Sequence, residues 1–255
     1  MGFYEEISPY YDDIFTAGEE QLRFIADTAG LPPKRLLDVA CGTGLYSVKL
    51  SQLGYDVWAC DADAEMIRRA KEKAESANAG VRLFTADMTE PGFLKEIRPE
   101  SGNDPEFDCI FCIGNSIVHL KSEDAIRNAV RQMKALLADH GSLILQIINF
   151  DRVLNHEIRT LPTIRNDEKG IIFRRNYEPD SSSGLIHFDT VLTLNREEVP
   201  LVLNNRVDLF PLVSEQLRCI LNDAGLGMTE FYGDFSKARF DPDQSFMLVA
   251  VARQV

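Results

Sequence analysis

The 255-residue sequence predicts an α/β fold, a doubly wound and mostly parallel seven-stranded sheet that carries an antiparallel β insertion. Three observations lead there. Apolar runs at 35–40, 55–60, 81–85, 107–113 and 142–149 alternate with helical periodicity near 44–53, 64–78 and 121–138, the pattern of parallel strands joined by crossover helices. The first run ends in the glycine-bearing turn Ala40-Cys41-Gly42-Thr43-Gly44 just before a helix. After residue 153 the alternation stops and short β-rich runs follow one another.

Taken in order, residues 3–29 read as helical, because Ile7, Tyr10, Tyr11, Ile14 and Phe15, then Leu22, Ile25 and Ala26, recur at helical spacing. Gly30-Leu31-Pro32-Pro33 ends that segment. The stretch from Glu90 to Pro105 reads as a loop with at most a short helix. Beyond the fifth strand, Ile171–Arg174, Leu185–Leu192 and Leu201–Val207 read as three successive strands, with turns at Asp180–Gly184 and Asn195–Glu198. A helix at 212–224 and a closing hairpin, Met228–Phe235 and Ser245–Arg253 around Asp241-Pro242-Asp243, complete the chain. The domain reading is a core of residues 1–152 plus 211–255 with a helical cap at its start, and an insertion of residues 153–210 over the ligand mouth.

Composition narrows the function. Apolar content of 45% and charged content of 26% are ordinary for a soluble globular protein. The net charge of −13 disfavours a nucleic-acid partner, since phosphates are repelled and no Lys/Arg stripe with interleaved aromatics offsets it. No apolar run is long enough to span a membrane, the acidic start Met1–Glu6 is not a signal peptide, and a cytoplasmic protein is expected. Five scattered cysteines fit reduced, buried thiols; Cys109 and Cys112, three apart on one strand, face opposite ways and cannot share a metal. The four histidines lack metal-ligand spacing, so no metal site is expected. Oligomeric state is not readable, and a homo-oligomer is compatible with the chain.

The turn defines the ligand. Gly42 and Gly44 allow close backbone approach, and the helix start behind them offers free N–H groups. The second strand ends at Asp61, where such folds place an acid to accept hydrogen bonds from ribose hydroxyls; Asp63 is the better helix N-cap, which leaves Asp61 for a ligand. A dinucleotide site wants a third glycine, but that position is Ser47, and Asp38 beside the turn would repel a pyrophosphate. Asp38 suits a cationic ligand without phosphate, so the residues favour S-adenosylmethionine over NAD.

At this point the chain resembles a family. Asp38–Gly44 resembles the first motif of class I S-adenosylmethionine-dependent methyltransferases, with their Rossmann-like sheet; Asp61 resembles their ribose-binding acid, Thr85-Ala86-Asp87-Met88 their adenine-contacting segment and Phe107–Ile113 their fourth strand. The resemblance implies a cofactor site formed by Ala40, Gly42, Gly44, Asp61, Ala62, Met66, Asp87, Met88 and Ile113. Tyr11, with Tyr10, offers a hydroxyl to cap the cofactor, and Arg23 a cation for its carboxylate. Gly114-Asn115-Ser116-Ile117-Val118-His119-Leu120 and Asn149–Leu154 are similar to the glycine/sarcosine N-methyltransferase subfamily. That similarity implies that Asn115 touches the acceptor, and by position His119 is a candidate base beside it. Two positions differ: the arginine that grips the acceptor carboxylate in glycine methyltransferases is Ile148 here, and a tyrosine before a proline is Phe210 before Pro211. An isoleucine cannot bind a carboxylate. The expected acceptor is therefore a small amine or other small molecule lacking that group. An NAD-dependent oxidoreductase and a non-catalytic S-adenosylmethionine-binding module are the competing readings.

Overall fold

The structure is a computed structural model that describes residues 7–90, 92–97, 106–195 and 199–254. The parallel strands are β1 (Arg35–Val39), β2 (Asp56–Asp61), β3 (Val81–Thr85), β4 (Phe107–Cys112) and β5 (Leu137–Ile148). Four strands of a second sheet follow, β6 (Thr160–Asn166), β7 (Ile171–Asp180), β8 (Leu185–Leu194) and β9 (Leu201–Leu209), then β10 (Met228–Tyr232) and β11 (Met247–Arg253). The main sheet runs β3-β2-β1-β4-β5-β11-β10, with β11 antiparallel to both neighbours. Its strand order reverses between β1 and β4, and in such sheets ligands occupy the crevice beyond the carboxyl ends at that reversal.

Burial explains why the strands read as unbroken apolar runs. Leu36, Leu37, Cys109, Ile110, Phe111, Ile144 and Leu145 are all fully covered, because helices pack on both faces. Cys109 and Cys112 fall in separate hydrophobic clusters on opposite faces, and burial raises both thiol pKa values. Trp58 is core, between Phe84 and Phe107.

Four elements differ from the sequence reading. Residues 3–6 of the expected N-terminal helix lie outside the described residues; the rest is broken into a 3-10 turn at Ser8–Tyr10 and helices Tyr11–Ile14 and Glu19–Ala29. The break comes at Phe15, which leaves helical geometry to place its ring against Phe173, and at the extended Gly18. The second sheet has four strands, not three. Its β6 was hidden by Pro162, which a regular strand excludes; the register with β7 shifts between Leu161 and Ile164 to accommodate it. The strand β5 begins at Leu137, inside the expected helix, which ends at Lys134. His140, at a φ of 65°, interrupts its start and masks the strand pattern. In the closing hairpin the strands are shorter than expected, ending at Tyr232 and beginning at Met247. The expected turn at 195–198 lies mostly outside the described residues, as does much of 90–105, where the short helix Phe93–Ile97 is present.

The second sheet is fastened over the crevice by its own chemistry. Ile171, Phe173, Leu192 and Leu194 pack with Ile7 and Ile14 of the N-terminal segment. Asn166 donates to the Asp13 carbonyl (3.2 Å), and Phe210 N donates to the Val118 carbonyl (2.8 Å). At its exit, Asp151 accepts from Ser214 N (2.8 Å) at the start of helix Ser214–Asp223.

Candidate active site

Two abutting cavities lie beyond the ends of β1 and β4, of about 350 Å³ and 440 Å³. They share Tyr11, Ala40, Gly114 and His119 in their walls. Their sizes fall at the lower end of the range for small-molecule sites.

The first cavity is bounded by the glycine turn, Asp61, Ala62, Met66, Asp87 and Met88. Gly42 adopts a φ of 56°, and a Cβ there would lie 3.2 Å from the Tyr11 ring. Gly44, at a φ of 73°, lets helix Ala64–Ser76 approach, with Ala70 Cβ 3.1 Å from the missing Cβ. Ala40 holds a left-handed conformation at a φ of 59° without being glycine, a strained backbone of the kind found at ligand clamps. Asp61, expected to be left for a ligand, also has partners within the fold. Its Oδ2 accepts from Gly42 N (2.8 Å) and its Oδ1 from Asp63 N (2.9 Å), so it braces the turn while its carboxylate still borders the cavity. Burial nonetheless raises its pKa, because desolvation outweighs those two hydrogen bonds. Asp63 caps the next helix by accepting from Glu65 N and Met66 N. Tyr11 is held over the turn by the adjacent Asp12, which accepts from the Thr43 hydroxyl and pairs with Lys73 Nζ at 2.6 Å.

The second cavity is bordered by Asp38, Ile113, Asn115, Gln146 and Ile148 on the core side, and by Arg175, Tyr177 and Phe188 on the second sheet. Asp38 is buried, accepts from Ser47 Oγ at 2.6 Å, and has its pKa pushed up to about 7 by desolvation, with the nearby Asp61 adding to the rise. Ser47 thus occupies the third-glycine position to serve this carboxyl. Asn115 sits at a φ of 68°; its Oδ1 accepts from Ile148 N (2.9 Å), which leaves the NH₂ to offer to the cavity. Gln146 holds the same loop by accepting from Gly114 N (2.7 Å). His119 is largely buried, and desolvation, helped by the Lys121 charge, lowers its pKa to about 4; the imidazole is neutral at physiological pH. Asn149, beside the loop in sequence, is structural: its amide donates to the carbonyls of Asp241, Pro242 and Ser245.

Most of the residues singled out in the sequence are brought together here. Arg23 is not among them: it is exposed on helix Glu19–Ala29 and lines neither cavity, whereas Gln21 does. Gln146, Arg175 and Tyr177 were missed. A lone glutamine inside Leu143–Ile148 was a readable signal, since a polar side chain in a buried strand needs a partner. Arg175 carried none, because its face depends on register. Among the described residues, no group of three or more His, Cys, Asp or Glu is placed to hold a metal ion, and no helix is long and apolar enough to cross a membrane.

The carboxylate at the end of β2, the glycine turn and the buried acid at the adjoining cavity fit a nucleoside cofactor with a cationic tail. The comparisons agree. A family model described as a methyltransferase domain matches residues 36–141. The chain belongs to the S-adenosylmethionine-dependent methyltransferases. Within them it is similar to glycine/sarcosine N-methyltransferases. That of Parasynechococcus marenigrum (strain WH8102) is 30% identical over 82% of this chain and 69% of its own length. That of Aphanothece halophytica is 29% identical over 84% and 74%. The fold matches that of an S-adenosylmethionine-dependent methyltransferase from Clostridium acetobutylicum ATCC 824, with a TM-score of 0.78 at 16% identity over 99% of both chains. The NAD-dependent reading is set aside.

Proposed function

We propose that the chain transfers the methyl of S-adenosylmethionine to the nitrogen of a small-molecule amine. The observation that carries this reading is the pair of abutting cavities: one meets Asp61 at the end of β2 and the other meets Asn115, with Tyr11, Ala40, Gly114 and His119 at their junction. The resemblance to glycine/sarcosine N-methyltransferases supports nitrogen as the accepting atom.

In this reading Asp61 accepts from the ribose hydroxyls, and Ala40, Gly42 and Gly44 line the turn that approaches the cofactor. Ala62, Met66, Asp87 and Met88 border the adenosine, Ile113 stands at the second cavity on the side of the reacting methyl, and Tyr11 closes the mouth. Asp38, half-ionised near neutral pH, gains its charge when a cationic group arrives. When bound, the cofactor supplies an electrophilic methyl and a thioether leaving group. The protein's work is then alignment and exclusion of water. Asn115 orients the acceptor with its free NH₂. His119, neutral with a pKa near 4, accepts a hydrogen bond from the amine N–H and directs the nitrogen lone pair; it is too weak a base to strip an ammonium ion. The amine would enter neutral, oriented by Asn115 and His119, and once the cofactor had supplied the methyl and kept its thioether the methylated nitrogen would lose its proton to solvent. Residues 153–210 act as an acceptor-selecting insertion in a core of 1–152 and 211–255.

Calorimetric titration with S-adenosylhomocysteine, with NAD as control, tests the cofactor half. Turnover of a panel of small amines with isotopically labelled cofactor tests the rest. Binding of the cofactor product without turnover of any acceptor would favour the non-catalytic module.

A further inference from the structure

The inner face of the second sheet is apolar except for one row. The register places Phe173, Leu192 and Leu203 side by side, and Tyr177, Phe188 and Val207 likewise; between them run Arg175, Thr190 and Asn205. Directly opposed residues of an antiparallel ladder share a face, so these three form one polar band across β7, β8 and β9.

The band is unsatisfied. Among the described residues, five buried side-chain atoms lack a hydrogen-bond partner, and four of them lie here: Arg175 Nε, Thr190 Oγ1 and Asn205 Nδ2, with Tyr177 Oη in the neighbouring row. Thr190 and Tyr177 are only 1% and 3% exposed. Arg175 makes one hydrogen bond, from Nη2 to the Pro162 carbonyl (2.7 Å). Burial lowers the pKa of Arg175 and raises that of Tyr177. Buried polar groups without partners cost stability, and apolar side chains of similar shape would cost less. A band of them that reaches a cleft at Arg175, with Tyr177 beside it, points to a ligand that completes it. Arg175 and Tyr177 line the acceptor cavity, and among the described residues lining either cavity Arg175 is the only arginine or lysine.

We propose that Arg175 and Tyr177, backed by Thr190 and Asn205, recognise an oxyanion on the methyl acceptor, so that the substrate is an amine bearing a carboxylate, sulfonate or phosphate. This rests on the small-amine reading above. It reverses the expectation drawn from Ile148: the cation absent from the end of β5 is supplied by β7, on the opposite wall. The guanidinium offers a fork of donors to the anion, and the phenol adds an O–H. Acceptor selection is thereby assigned to the second sheet.

The test titrates acetate, methanesulfonate and methyl phosphate into the S-adenosylhomocysteine-saturated protein. It also compares turnover of ethanolamine with that of β-alanine, taurine and ethanolamine phosphate. At least one oxyanion should bind wild type, and the amine bearing the same group should be preferred over ethanolamine among those turned over; which anion wins identifies the source. Arg175→Met should weaken that binding about tenfold or more while leaving S-adenosylhomocysteine affinity within about twofold. Arg175→Lys should keep part of it, and Thr190→Val should weaken it less than Arg175→Met. Absence of binding by all three anions would overturn the proposal, as would equal binding to Arg175→Met. Loss of S-adenosylhomocysteine affinity in Arg175→Met or Arg175→Lys would assign the guanidinium to the cofactor and also overturn it. Failure of wild type to bind S-adenosylhomocysteine is the separate outcome that sinks the underlying reading.

Discussion

The two halves of the cleft are built on opposite plans. The nucleotide half draws on a few compact stretches of chain, and its acids are paired with nearby backbone: Asp61 with Gly42 and Asp63, Asp63 with Glu65 and Met66, Asp87 with Thr89. The acceptor half is gathered from the N-terminal segment, the turn after β1, the β4 and β5 ends and the second sheet, and it keeps Arg175 Nε and Tyr177 Oη unpaired. A self-satisfied site is rigid before its ligand arrives, as befits a ligand common to the whole family. An unsatisfied one gains most from the partner that completes it, which is how discrimination between acceptors is obtained.

Substitutions at four positions would break or sharpen this contrast. The largest effect on ligand binding is expected at Asp61. Asp61→Ala removes the proposed ribose contacts and leaves Gly42 N and Asp63 N without their acceptor, so S-adenosylhomocysteine affinity measured by calorimetry should fall by about 1–3 kcal/mol. Asp61→Asn retains one carbonyl oxygen and should lose less; equal losses would remove the distinction between bracing and binding. Next comes Asn115→Ala, which should cut turnover by an amount equivalent to about 1–2 kcal/mol with cofactor affinity nearly intact. A change confined to cofactor affinity would move Asn115 to the other half.

The Asp38 carboxyl gives a pH signature. Its pKa rises from 3.8 to about 7 on folding, so the folded state holds a proton that the unfolded chain releases. Stability of the cofactor-free protein should therefore fall as pH rises through about 4 to 7 and level off above, by an amount on the order of a few kcal/mol. Asp61, shifted the same way, adds to the slope. Urea unfolding of Asp38→Asn across that range should show a flatter profile and higher stability near neutral pH. An unchanged slope would show that Asp38 is ionised in the fold.

The smallest effect is expected at His119. With its pKa near 4, kcat for wild type should show no inflection near pH 6.5 from this residue, and His119→Gln, which retains a hydrogen-bond acceptor, should lose activity only modestly. A rate limb that disappears in His119→Gln would instead make the imidazole a proton acceptor in the reaction.

What the sequence determined by itself was the strand–turn–helix at 36–52, the acid nineteen residues beyond Gly42, the alternation of the first five strands and the Asn115 loop. These depend on neighbours in the chain: a glycine that must turn, an acid at a strand end, an apolar run that must be covered on both faces. The tertiary structure alone decided that Phe15 and Gly18 break the first helix, that a strand containing Pro162 joins the second sheet, that Arg23 faces solvent, and that Arg175 and Tyr177 face the cleft. The physical reason is the period of a β-strand. A slip of one residue between β7 and β8 would turn Arg175 outward and Arg174 inward, and the packing of Phe173 and Leu192 against Ile7 and Ile14, with Tyr177 and Ile186 against the main core, favours the observed register.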